Sequence, residues 1–209
     1  MAFTAVIADD HTFMRKALAD MLDDVRDIHV VATAKNGLEA IAEARRHKPD
    51  LLVLDAAMPM ASGVEVFADV RRWCPNTKVV TCTGFTSHTL LAEWIDLGVD
   101  GLLLKTSEAD EFGRCVETVL AGYRFVAEDV RDILKAASEV PSLTHREREV
   151  LSLIALGNTS QAIADRLHIS IKTVEKHRGS LMSKLGVGSV AELLAYALKE
   201  GFLDTHRQL

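Results

Sequence analysis

Over the first 121 residues, short apolar runs alternate with stretches whose apolar residues recur every three or four positions. The runs are FTAVIA (3–8), IHVVAT (28–33), DLLVLD (50–55), KVVTCT (78–83) and DGLLLK (100–105). Between them lie Phe13, Ala17, Leu18, Met21 and Leu22, then Leu38, Ile41 and Ala42. Further along come Val64, Phe67 and Val70, then Leu90, Leu91, Trp94 and Ile95, and last Phe112, Cys115, Val116, Val119 and Leu120. Helical spacing after each strand-length run predicts βαβ units, and hence a parallel sheet covered on both faces. Asn36-Gly37, Pro49-Asp50, Cys74-Pro75-Asn76 and Gly98 punctuate the element ends. The expected architecture is an α/β doubly wound sheet of five parallel strands in the order 2-1-3-4-5.

From 122 to 142 the strand pattern is lost, and the stretch reads as a linker with a helix in it, DVRDILKAASE, ending at Pro141-Ser142. From 143 to 209 the pattern is helical only. Four short segments are separated by Gly157-Asn158, by His168-Ile169-Ser170 and by Gly186-Val187-Gly188. The chain is thus expected to hold a domain over 1–121, a linker over 122–142 and a small all-α domain over 143–209.

Charge sharpens this division. The net charge of −6 is a balance of −8 over residues 1–141 and of +2 over 142–209, so the two halves suit different partners. Cys74, Cys82 and Cys115 are odd in number and unpaired in spacing, which fits reduced thiols in a cytoplasmic protein. No apolar stretch is long enough to span a bilayer, and the N-terminus lacks the pattern of a signal peptide.

The candidate chemistry sits at the strand ends. The first run stops at two adjacent carboxylates, Asp9 and Asp10, and the third ends in Asp55. A sheet of the expected order binds its ligand between strands one and three, so three carboxylates should converge there. Such a cluster of oxygen ligands calls for a cation, and points to Mg²⁺ held by Asp9, Asp10, Asp55 and the Ala57 backbone carbonyl. Strand four ends at Thr83 and strand five at Lys105. A metal, a hydroxyl and an ammonium around a carboxylate can hold a phosphoryl group, with Asp55 as nucleophile. An Mg²⁺-dependent phosphohydrolase would share that intermediate, but no second acid–base residue lies near Asp55 in the sequence and no enzyme activity is expected.

ADDH, LVLDAAMP followed by Gly63, Thr83-Gly84 and GLLLK together resemble the receiver domain of bacterial two-component response regulators. The resemblance covers about the first 121 residues. It implies that Asp55 accepts phosphate from a histidine kinase with Mg²⁺ bound, with Thr83 and Lys105 completing the site. Leu102 stands where the family commonly carries an aromatic residue that moves when the threonine engages phosphate. That departure leaves open a regulator that works without phosphorylation.

In the second domain, Thr144 and Glu147 have capping-box spacing, and Val150, Leu151, Ile154 and Ala155 form an apolar stripe. Ile163, Ala164 and Leu167 mark a short helix, and Ser170 can cap a longer one that runs to about Leu185. Two helices joined by a short turn, the second longer and basic, suggest a helix-turn-helix. Val174, His177 or Arg178, Leu181 and Leu185 are expected inward, with Lys172, Thr173, Lys176, Ser180 and Lys184 outward. LTxREREVL, IAxxLxIS, KTVxKH and SKLGV resemble the LuxR-type helix-turn-helix, and with the receiver they resemble the NarL/FixJ class of response regulators. That resemblance implies double-stranded DNA as a partner and a homodimer in the active state. Lys172, Thr173, Lys176, His177, Arg178, Ser180 and Lys184 are then the expected DNA-facing residues. Glu175, where many relatives carry Lys, and Gly179, where some have a longer side chain, depart from the pattern. The last apolar segment, Val190 to Leu198, suits either pairing with a second copy or packing on the first helix of its own domain.

Overall fold

The computed structural model describes residues 2–25, 27–137 and 143–199. They divide into two compact units, one made of residues up to 85 with 92–132, the other of 86–91 with 133 onward.

The first unit is a parallel sheet in the order β2-β1-β3-β4-β5-β6. Its strands are β1 (Phe3–Ala8), β2 (Ile28–Ala34), β3 (Leu51–Asp55), β4 (Lys78–Thr83), β5 (Gly101–Leu104) and β6 (Phe125–Val126). The helices between them are α1 (Thr12–Asp23), α2 (Gly37–His47), α3 (Gly63–Trp73), α4 (His88–Leu97) and α5 (Ala109–Leu120), and α6 (Glu128–Ala137) follows β6. All five expected strands form in the expected order. The sixth corrects the view of 122–142 as a linker: Phe125 pairs with Gly101 and Leu102 with Val126 along the β5 edge. Two residues are too few to show a period. The tertiary pairing made this strand, and the local pattern did not.

Central strands β3 and β5 are buried at every position, as strands covered on both faces must be. Edge strand β2 instead alternates, with His29, Val31 and Thr33 exposed. Three residues of the expected apolar stripes also face out: Phe13, Leu38 and Ala42 are exposed, the first two in the first turn of their helices. Ser62 caps α3 through a capping box with Glu65, which fixes where the chain re-enters helix after β3. Gly63 begins that helix. A Cβ there would lie 2.8 Å from Ala56 Cα, Ala56 O and Asp55 O, so only glycine lets α3 start this close to the end of β3.

The second unit is helical: α7 (His145–Ala155), α8 (Ser160–Leu167), α9 (Ile171–Leu185) and α10 (Val190–Lys199). The breaks fall where Gly157, His168 and Gly186 take positive φ, and His168 and Gly186 are left-handed C-caps. Val150, Leu151, Ile154, Ile163, Ala164, Val174 and Leu181 form the core, joined by Leu193 and Ala197 of α10. The last helix therefore packs on α7 within its own unit, as one of the two sequence alternatives had it. Leu198 lies beyond the side chains that the structure describes.

Candidate functional site

Strand register brings the carboxylates together. Ala8 stands opposite Leu54, so Asp9 leaves β1 at the height where Asp55 ends β3. Asp55 stands opposite Cys82, and Thr83 opposite Leu104, so Thr83 and Lys105 complete the same edge. Four residues far apart in the sequence, and Asp10 beside the first of them, thus come to one edge because parallel strands all end on one side.

Asp9 and Asp55 are buried and Asp10 is exposed. The Lys105 ammonium lies 2.8 Å from Asp55 Oδ2 and 2.7 Å from Asp9 Oδ2. The Ala57 N–H donates to Asp55 Oδ1 at 3.2 Å. The His11 N–H donates to Asp9 Oδ1 at 2.7 Å, and the His11 Nδ1 is 2.7 Å from Asp10 Oδ1. Thr83 is buried, its Oγ1 accepting the Phe85 N–H at 3.0 Å while its carbonyl accepts the Lys105 N–H at 2.8 Å. Burial pushes the Asp55 carboxyl above its usual range, against the opposing pull of Lys105 and the Ala57 N–H. Burial also works against the Lys105 charge, but Asp55 and Asp9 outweigh it and hold the ammonium above its ordinary value. A buried Cys82 thiol beside this edge is pushed up to about 12, far from the thiolate that would make it reactive.

The donor set fits a hard divalent cation. Ligand atoms of Asp9, Asp10, His11 and Asp55 lie within 4.8 Å of one another. The most buried of these acids, Asp9, has its Oδ2 against the Lys105 ammonium and its Oδ1 against the His11 N–H. Two groups here escaped the sequence. His11 was legible as the next letter of ADDH, but nothing marked its ring as part of the cluster. Arg15, one turn into α1, donates to the Asp9 carbonyl at 2.7 Å and ties the helix to the acidic loop.

In the helical unit, α9 presents Lys172, Glu175, Lys176, Gly179 and Ser183 as its exposed stripe. Thr173, His177 and Arg178 are half-buried. Ser180 and Lys184, expected outward, turn instead to Glu147 on α7: Ser180 Oγ donates at 2.7 Å and Lys184 Nζ lies 2.8 Å away. Glu147 is almost fully buried and also closes the capping box with Thr144. Lys184 foremost, with Ser180 and Thr144, holds its carboxyl well below the usual range, at about 2. The sequence showed the cap but not that the same carboxylate anchors the longest helix of the unit.

Comparison with known proteins agrees with this geometry. The family "Response regulator receiver domain" matches residues 5–117, and "Bacterial regulatory proteins, luxR family" matches residues 141–197. The chain belongs to the two-component response regulators that join a receiver domain to a LuxR-type DNA-binding domain. It is 35% identical to the oxygen regulatory protein NreC of Staphylococcus epidermidis, over 95% of this chain and 98% of that protein. The Staphylococcus aureus NreC is 34% identical over the same shares. Among solved structures, one of two RcsB dimers bound to two parallel DNAs matches with a TM-score of 0.75 at 26% identity, covering 95% of this chain and 99% of that one. RcsB from Salmonella enterica serovar Typhimurium, bound to a promoter with the phosphomimetic BeF3-, matches with a TM-score of 0.74 at 26% identity, over 96% and 99%. Among the described residues, no helix is long and apolar enough to cross a membrane.

Proposed function

We propose that the protein is a transcriptional regulator switched by phosphorylation of Asp55. The observation that carries this is the convergence of Asp9, Asp55 and Lys105 on one sheet edge, with Lys105 between two buried carboxylates. A phosphohistidine of a histidine kinase is the donor. An Asp55 carboxylate oxygen bonds to phosphorus as the P–N bond breaks, and the electron pair leaves with the imidazole. Asp9, Asp10, Asp55 and the Ala57 carbonyl would hold Mg²⁺, which when bound would supply positive charge against the phosphoryl oxygens. Lys105 and the Thr83 hydroxyl take the remaining oxygens. To do so, Lys105 gives up part of its ion pair with Asp55, while Thr83 can donate its O–H to a phosphoryl oxygen and still accept the Phe85 N–H.

The aspartyl phosphate shifts an equilibrium between inactive and active arrangements, and the active form is a homodimer on double-stranded DNA. RcsB is seen as dimers on DNA, and the helix corresponding to recognition here is α9. Lys172, Thr173 and Lys176 meet DNA, with His177 and Arg178 at the flank of the same face. Ser180 and Lys184 serve it by holding α9 to Glu147. The acidic balance of residues 1–141 suits a cytoplasmic regulator with no turnover of its own.

Incubation with Mg²⁺ and a small phosphodonor, followed by intact-mass measurement, tests the site. One phosphoryl group is expected on the wild type and none on Asp55→Asn. Labelling that persists in Asp55→Asn would place the phosphoacceptor elsewhere.

A further inference from the structure

Glu175 is the one acidic residue in α9, and it lies on the exposed stripe between Lys172 and Lys176. An acid on a surface meant for phosphates weakens binding everywhere unless it finds a donor. This carboxylate is also held in place before any DNA arrives. Ser160 Oγ donates to Glu175 Oε1 at 2.5 Å, and Arg178 Nη1 lies 3.2 Å from the same oxygen and 2.5 Å from Ser160 Oγ. With Oε1 held by α8 and by its own helix, the exposed carboxylate has its second oxygen to offer. One turn further along the same stripe stands Gly179, and a Cβ there would meet nothing within 4 Å. The helix surface is therefore shallow beside Glu175, and a base edge can approach its backbone closely.

The chemistry of the major groove selects the partner. An ionised carboxylate only accepts hydrogen bonds. Guanine and thymine offer it acceptors. Adenine offers an amino group next to the N7 acceptor, which repels the second oxygen. Cytosine offers the N4 amino group with no acceptor beside it on its own edge. We infer that Glu175 determines base specificity by accepting from the N4 amino group of a cytosine in each half-site, with Gly179 giving the close approach and Ser160 and Arg178 fixing the carboxylate. This rests on α9 being the helix that meets DNA. Glu175 contributes discrimination rather than affinity, and Lys172 and Lys176 on either side supply the attraction to phosphate.

The test is selection of binding sites from a random duplex library by the full chain, treated with Mg²⁺ and a small phosphodonor. The wild type is expected to enrich a half-site with one invariant cytosine that Glu175→Ala no longer requires, preference at that position alone falling roughly tenfold. Glu175→Gln is expected to move that position toward adenine, because an amide both donates and accepts as N6 and N7 of adenine demand. A Glu175→Ala motif identical to the wild type at every position overturns the assignment. A second readout needs no variant: replacing that cytosine by thymine in the selected site should weaken wild-type binding roughly tenfold, and unchanged affinity overturns it as well. A wild type that enriches no sequence overturns the DNA-reading role of α9 and this assignment with it.

Discussion

Glu147 ties the start of α7 to the C-terminal half of α9. Its ordinary carboxyl value of 4.5 falls to about 2 in the folded protein, so between those values the folded state binds fewer protons than the unfolded one. The stabilisation is complete above about pH 4.5 and is lost as pH falls through about 2. Glu147→Gln is expected to destabilise the helical unit by about 2 kcal/mol at neutral pH, since a charge-assisted bond to Lys184 is lost from a buried position. Thermal melts of the two proteins should converge as pH drops from 4.5 toward 2. A difference independent of pH would mean that packing, not charge, is what the glutamate supplies. At the sheet edge the charge logic runs the other way. Burial raises Asp55, so this ionised carboxyl opposes folding at neutral pH, a strain that a cation or a phosphoryl group would relieve.

At the scale of elements, the start of α3 decides the geometry of the acidic loop. Gly63→Ala would force a Cβ into the backbone of Asp55 and Ala56. Unlike a clash with a flexible side chain, this one moves the nucleophile itself. Loss of 1–3 kcal/mol of stability together with slower labelling of Asp55 is expected. Ser62→Ala, which removes only the cap, should cost about 1 kcal/mol and leave labelling nearly intact. Equal effects on labelling would show that the loop tolerates the shift. On α9 the lysines divide by partner. Lys172→Ala and Lys176→Ala should weaken DNA binding evenly across sequences and each lower the salt slope by about 1. Lys184→Ala should chiefly lower the melting temperature, because its ammonium belongs to Glu147.

The same contrast shows what the sequence made legible. Strands β1 to β5, their order and the placing of Asp9, Asp10, Asp55, Thr83 and Lys105 at their ends were readable, because an uninterrupted apolar run between helices has few other solutions and parallel strands end on one side. The strand β6 was not readable, being two residues made a strand by pairing with the β5 edge 24 residues earlier rather than by a local pattern. Nor was the inward turn of Ser180 and Lys184: helical spacing gives a face to within a residue or so, and a buried acid on another helix decided which way the edge of that face points. Phe13, Leu38 and Ala42 misled for a related reason, since periodicity says which side of a helix is apolar but not which of its turns is covered.

On the scale of the whole molecule, a cluster of acids in one unit and a basic stripe in the other have meaning only if the first alters the second. An acidic site that takes up Mg²⁺ only when folded predicts a melting temperature that rises with Mg²⁺ concentration. The expected gain is about 2.7 kcal/mol at a hundred times the dissociation constant, and Asp9→Asn should largely abolish it. The most direct test of the switch is the DNA affinity of the full chain, on its own selected site, before and after treatment with Mg²⁺ and a small phosphodonor. A gain in affinity accompanied by dimer formation, present in the wild type and absent in Asp55→Asn, is the predicted result. Equal affinity and equal oligomeric state before and after, in a protein shown by mass to carry the phosphoryl group, would contradict it.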